Sequence, residues 1–169
     1  MSWIQTYVGR QFWPLEPRPA DVDIRDIAHS LSLQCRFNGH CREFYSVAEH
    51  SVRVAEILPA ELALWGLLHD AAEAYLGDLT RPLKQQAPWF NEAEDRVLRM
   101  IAEHFSLPWP MPDAVRKADD ILLVTEARDL MVAPPEPWGL DAQPLDAPIV
   151  PRPPAEAEAL FLQRYEQLL

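Results

Sequence analysis

The chain has 169 residues, 49% hydrophobic and 24% charged, with a net charge of −11 at pH 7. That suits one globular domain with a sizeable core. It argues against a general binder of polymeric nucleic acid, which needs a basic surface, and no apolar run nears the roughly 20 residues of a membrane span.

In chain order, residues 3–13 place Val8-Gly9 between short apolar stretches and predict a small hairpin. Residues 14–19 are a Pro-rich connection. A first helix is expected over 21–33, with Ile24, Ile27, Ala28 and Leu31 on one face. Residues 35–45 contain Asn38-Gly39 and read as a loop. Ser46-Val47-Ala48-Glu49 matches a capping box, so a second helix starts there and stops before Pro59. A third is expected over 60–76, with Gly77 as its C-cap. Its middle, Ala63 through Leu68, is apolar on all sides and should be central. A loop at Arg81-Pro82 precedes a fourth helix, capped by Asn91 and Glu94 and running to about 105. Asp113 caps a fifth that ends near 131. Residues 133–154 are crowded with proline and read as an extended wrapping segment. A last amphipathic helix over about 155–169 docks back through Leu160, Phe161, Tyr165 and Leu168. The expected fold is all-α: a compact helical bundle with a short N-terminal β-hairpin. It forms one domain over 1–169, with its core at about 21–131.

The chemistry concentrates in Leu67-Leu68-His69-Asp70-Ala71-Ala72-Glu73. A His, an Asp and a Glu sit in an otherwise buried stretch, and charged groups are rarely buried unless paired or bound to metal. A divalent cation would satisfy all of them. His50, inside the second helix, and Asp119, in Lys117-Ala118-Asp119-Asp120, gain meaning beside the doublet. Two imidazoles and two carboxylates from different helices can converge in a bundle core. Asp119 and Asp120 are neighbours, and only one can point straight at an ion. His104 reads as structural near a helix end, and neither His29 nor His40 is expected to be a ligand. Cys35 and Cys41 are too few for a disulfide scaffold and read as free thiols of a reducing compartment. The N-terminus lacks a signal-peptide pattern, so a cytoplasmic location is expected.

The ordered set His50, His69-Asp70, Asp119, with its flanks, resembles the HD-domain phosphohydrolases over about residues 24–126. The resemblance is greatest to the small bacterial and phage deoxynucleoside 5′-nucleotidases and dNTP triphosphohydrolases. It implies His50, His69, Asp70 and Asp119 as metal ligands, selecting Asp119 over Asp120. It implies Glu73 and Asp78 as catalytic groups with interchangeable acid and base roles. Arg36 resembles the arginine that meets the sugar-phosphate. Phe37 beside it reads equally as a base-stacking ring or as core, and Lys84 and Arg81 are expected to grip further phosphates. The nitrogen and oxygen ligand set suits Mn, Co, Fe, Ni or Zn as one divalent ion. The implied reaction cleaves the 5′-phosphate ester of a deoxynucleotide, from either a mono- or a triphosphate. A non-catalytic nucleotide-binding module is the alternative. The expected partner is a small nucleotide, without polymeric nucleic acid or membrane. Self-association is also expected, from the many helices and the exposed Trp-rich N-terminal piece.

Overall fold

The computed structural model describes residues 2–169. Strands β1 (Ile4–Gln5) and β2 (Gln11–Phe12) pair antiparallel, Ile4 opposite Phe12. Gly9 supplies the positive φ of 82° that their turn needs. Phe12 is fully buried and stacks on Tyr75 at 3.9 Å, which pins the hairpin to the helices.

Helix α1 (Ile24–Leu33) begins later than expected. Residues Pro19–Asp21 form a 3-10 turn instead, and Asp23 takes the cap by accepting the Arg25 amide. In α2 (Val47–Ile57), Ser46 accepts the Glu49 amide at 3.1 Å. The reciprocal half of the capping box is not made. The buried Glu49 carboxylate takes Arg53 and the Arg152 amide instead.

Helix α3 (Ala60–Leu68) packs most extensively on α2. The contact is close because position 66 is glycine: a Cβ there would stand 2.6 Å from Leu58 Cδ1 and 3.0 Å from Ala55 Cα. The expected single helix over 60–76 is two. After Leu68 the backbone tightens to i→i−3 bonds, with Ala71 on Leu68 and Glu73 on Asp70 at 3.0 Å each. At the break His69 Nδ1 donates to the Gly66 carbonyl at 2.7 Å, the acceptor an α-helix would offer to the residue 70 amide. A four-residue helix α4 (Glu73–Leu76) follows, closed by Gly77 at φ 71°.

A further turn, α5 (Arg81–Lys84), lies where a loop was expected. Helix α6 (Pro88–His104) starts at its proline rather than at Asn91, whose amide donates to the Lys84 carbonyl. Helix α7 (Asp113–Leu130) has Pro112 at its cap position, so Asp113 is its first residue and not its cap. Residues 131–153 contain no regular element. They are strapped down by side chains: Thr125 accepts the Leu145 amide and Asp129 the Ile149 amide, each at 2.9 Å. Helix α8 (Pro154–Gln167) then packs on α1 and α2 through buried Ala157 and Phe161. The fold is thus a helical bundle with an N-terminal hairpin. No described helix is long and apolar enough to cross a membrane.

Candidate metal centre

The centre is built where α2, the tightened turn after α3, and α7 meet. His50 Nδ1 lies 2.5 Å from Glu126 Oε1, and His69 Nδ1 lies 2.7 Å from the Gly66 carbonyl. Both partners are acceptors, so each Nδ1 carries its ring's proton. In the neutral rings the two Nε2 atoms are therefore bare lone pairs, and they face one another at 3.2 Å. Asp119 Oδ1 is 3.2 Å from His50 Nε2 and 4.0 Å from His69 Nε2. Asp70 Oδ2 is 3.7 Å and 3.4 Å from the same two nitrogens, and it is buried without a hydrogen-bond partner.

Acceptors aimed at one point need a cation between them. Without a metal a proton takes that role. Burial and the Arg36 cation push the His50 imidazole down, but Glu126 and Asp119 outweigh them and hold it up at about 9. Burial pushes Asp119 up, yet its bond to His50 and the charges of His50, His69 and Arg36 hold it well below the usual carboxylate range. The donor set fits a metal ion, and His50, His69 and Asp119 can hold one. The Glu126–His50 pair is the carboxylate–imidazole arrangement that orients metal-binding histidines.

Arg36 comes from the loop before α2. Its guanidinium lies 3.0 Å from Glu126 and 3.6 Å from Asp70. Beside it a cavity of about 200 Å³ is lined by Gln34, Arg36, Phe37, Asn38, Glu73 and Asp78, among others. Phe37, at φ 53°, places its ring beneath the Arg36 guanidinium and 6.0 Å from Trp138. Glu73 is buried, and burial together with Asp70 and Asp78 pushes its carboxyl well above the usual range. Glu73, Asp78 and Glu94 form a second acidic group. Its cation is already present: Lys84 Nζ sits 2.8 Å from both Asp78 and Glu94.

Of the residues singled out in the sequence, His50, His69 and Asp119 form the cluster that could hold an ion; Asp70 lies outside that cluster, though its Oδ2 approaches both imidazoles, and Arg36 pairs with Asp70 and Glu126 beside it. Glu73, Asp78 and Phe37 line the adjoining cavity, and Lys84 is tied to carboxylates behind it. Arg81 is exposed at the start of α5. Asp120 is absent from the cluster, His29 pairs with Glu158, and His104 bonds the Pro19 carbonyl. Sequence reasoning missed Glu126, which is fully buried between His50 and Arg36. The available signal was its position seven residues after Asp119, two helical turns along the same face of α7.

No family model matches the chain. The Escherichia coli K12 protein YfdR, uncharacterised, is 38% identical over 172 residues, covering 99% of this chain and 96% of that protein. The uncharacterised Rhodobacter capsulatus protein RCAP_rcc00048 is 33% identical over 192 residues, covering 99% and 96%. A protein named 5′-deoxynucleotidase, from Photobacterium profundum, is 29% identical over 112 residues, covering 50% of this chain and 57% of its own length.

Proposed function

The chain belongs to one family with Escherichia coli YfdR, and for this member we propose a metal-dependent phosphohydrolase that cleaves the 5′-phosphate ester of a deoxynucleotide. The observation that carries the reading is the meeting of the His50 and His69 Nε2 atoms with Asp119, and with an Asp70 oxygen that makes no hydrogen bond, beside the Arg36 cavity. The partial likeness to a named 5′-deoxynucleotidase agrees with it. His50, His69, Asp70 and Asp119 would hold one divalent ion, from Mn, Co, Fe, Ni or Zn by the chemistry of the donors. Such an ion lowers the pKa of water and neutralises charge on a phosphoryl group.

The chain's own residues supply the rest. Arg36 presents a planar guanidinium to a phosphate at the cavity wall. Glu73, its carboxyl raised by burial and by Asp70 and Asp78, keeps a proton to give to the leaving 5′ oxygen. Asp78 faces the same cavity and offers an acceptor for the proton of the attacking water. Phe37 closes one wall against the sugar or base.

A monophosphate is favoured over a triphosphate. Lys84 is engaged by Asp78 and Glu94 and Arg81 is exposed, so Arg36, itself paired with Glu126, is the single cation lining a cavity of about 200 Å³. The test is a panel of deoxynucleotides against metals with product identification. Inorganic phosphate and deoxynucleoside from a dNMP are expected. Intact triphosphate released from a dNTP would replace this reading with a triphosphohydrolase. Nucleotide binding without turnover by the metal-loaded protein would make it a binding module.

A further inference from the structure

Both cysteines of the chain, Cys35 and Cys41, lie at the neck of one strained turn. The neck is clamped: Cys35 bridges Ser46 antiparallel, and the Arg36 amide donates to the Tyr45 carbonyl at 2.9 Å. Between the cysteines Phe37, Asn38 and Gly39 are all left-handed, at φ 53°, 50° and 79°. Residues with a Cβ resist that conformation and hold it only where their surroundings enforce it. The turn brings the chain back on itself. The His40 amide donates to the Phe37 carbonyl at 3.0 Å, and the Cys41 thiol to the Arg36 carbonyl at 3.4 Å. Cys41 Sγ therefore lies against the residue that follows Cys35 in the chain. Burial, and then the Cys35 thiol beside it, push the Cys41 thiol up to about 11. Neither cysteine is fully buried, and Cys35 lines the cavity together with Arg36, Phe37 and Asn38.

We propose that Cys35 and Cys41 are a modification site: a low-molecular-weight disulfide of the glutathione class oxidises the pair to an intramolecular disulfide, which fixes the turn carrying Arg36 and Phe37. Position sets the order of events. Cys35, on the cavity wall, attacks the small disulfide as its thiolate, releasing one small thiol and leaving a mixed disulfide. Cys41, whose raised pKa makes it the poorer first nucleophile, then attacks the Cys35 sulfur, and the second small thiol leaves. The protein pair loses two electrons, the small disulfide gains them, and the two thiol protons end on the two small thiols. A sulfur–sulfur bond of about 2.05 Å takes the Cys41 sulfur off the Arg36 carbonyl. The peptide of Arg36 thus loses that bond, while its guanidinium is the partner of Glu126, which holds His50. The oxidation state of the pair is thereby felt at the cavity wall. The disulfide itself does not depend on the phosphohydrolase reading, because its formation is measured without turnover.

The experiment is incubation of the full chain with millimolar oxidised glutathione, blocking of free thiols, and tryptic mapping. Trypsin cuts after Arg25, Arg36 and Arg42, so the two cysteines fall on separate peptides, 26–36 and 37–42. These peptides should appear joined, within single chains, and should separate on treatment with dithiothreitol. Cys41→Ser should stop at one glutathione on Cys35, and Cys35→Ser should take up glutathione at least tenfold more slowly. Oxidised wild type should bind inorganic phosphate at least fivefold more weakly than the reduced protein, a difference absent from Cys35→Ser. The proposal is overturned if wild type keeps both thiols free, stops at a glutathione adduct, or joins the two peptides only between chains. It is also overturned if the oxidised and reduced forms bind phosphate equally. The phosphate measurement rests on the role given to Arg36 above. Absence of phosphate binding in both forms would count against that role, and the joined peptides, read in the wild-type chain, would then decide the site alone.

Discussion

Replacing Gly66 by alanine tests whether the α2–α3 contact sets the geometry of the centre. The added methyl would stand 2.6 Å from Leu58 Cδ1, 3.0 Å from Ala55 Cα and 3.1 Å from Ala55 N. Ordinary carbon contacts are about 3.5–4.0 Å. The Leu58 methyl can swing aside, but the Ala55 backbone moves only if α2 moves. Overpacking of this kind costs about 1–3 kcal/mol, and alanine's better helix propensity returns up to about 1 kcal/mol. The net loss should be near 1 kcal/mol, which for a chain of this size lowers Tm by about 2–4 °C. The same displacement separates His50 on α2 from His69 just beyond α3. Their Nε2 atoms are 3.2 Å apart, so metal affinity should fall about tenfold, within the range seen when ligand support is disturbed. Melting of the chelator-treated protein gives the first quantity and titration with Co²⁺ or Mn²⁺ the second. A Gly66→Ala protein that melts no lower than wild type and binds metal equally well would refute the reasoning.

Three further outcomes are expected. Glu126→Gln removes the carboxylate that holds His50 and pairs with Arg36. It should weaken metal binding by about 10- to 100-fold and cost roughly 3 kcal/mol in urea unfolding, as for one partner of a buried pair. Unchanged values for both would show that Glu126 is dispensable. A divalent metal at about 100 times its Kd should add roughly 2.7 kcal/mol of stability, reversible by chelator and abolished by His69→Ala. Equal melting curves with and without metal would count against the centre. Asp23 is held at about 2, chiefly by its hydrogen bonds with Arg25 against the opposing effect of burial. A depressed carboxyl stabilises the fold above its unfolded pKa near 4, and the contribution is lost as pH falls towards 2. After solvent screening the contribution is about 1 kcal/mol. The stability gap between wild type and Asp23→Asn should therefore be constant from pH 7 to about 5 and shrink as pH falls from there towards 2; a gap as large at pH 2 as at pH 7 would contradict it.

Periodicity was enough to find α1, α2 and α8, because each buries one face and Ser46 is a strong start signal, whereas the caps expected at Asn91 and Asp113 and the loop expected at Arg81 were not found. The break after Leu68 was not readable. There the His69 ring takes the Gly66 carbonyl, an arrangement that propensity does not reveal. The His69-Asp70 doublet stood out because charge in an apolar stretch demands a partner. Glu126 was not singled out, because its seven-residue spacing from Asp119 puts it on the same face of α7 without showing that this face meets two basic side chains. Lys84 was read as a free cation for phosphate. Its actual partner Glu94 lies on another helix, and one-dimensional spacing does not reveal such pairings.

The ties to Glu126 span 76 residues from His50 and 90 from Arg36. No hairpin or neighbouring pair of helices can assemble this arrangement on its own. Closing such long loops is an entropic loss that is recovered only when the whole bundle condenses. During synthesis both imidazoles leave the ribosome well before α7, so a nascent chain holds them without the carboxylate that aligns one and the acid that faces both. Any capacity of these groups to hold an ion would therefore arrive only once α7 has been made and packed against α2.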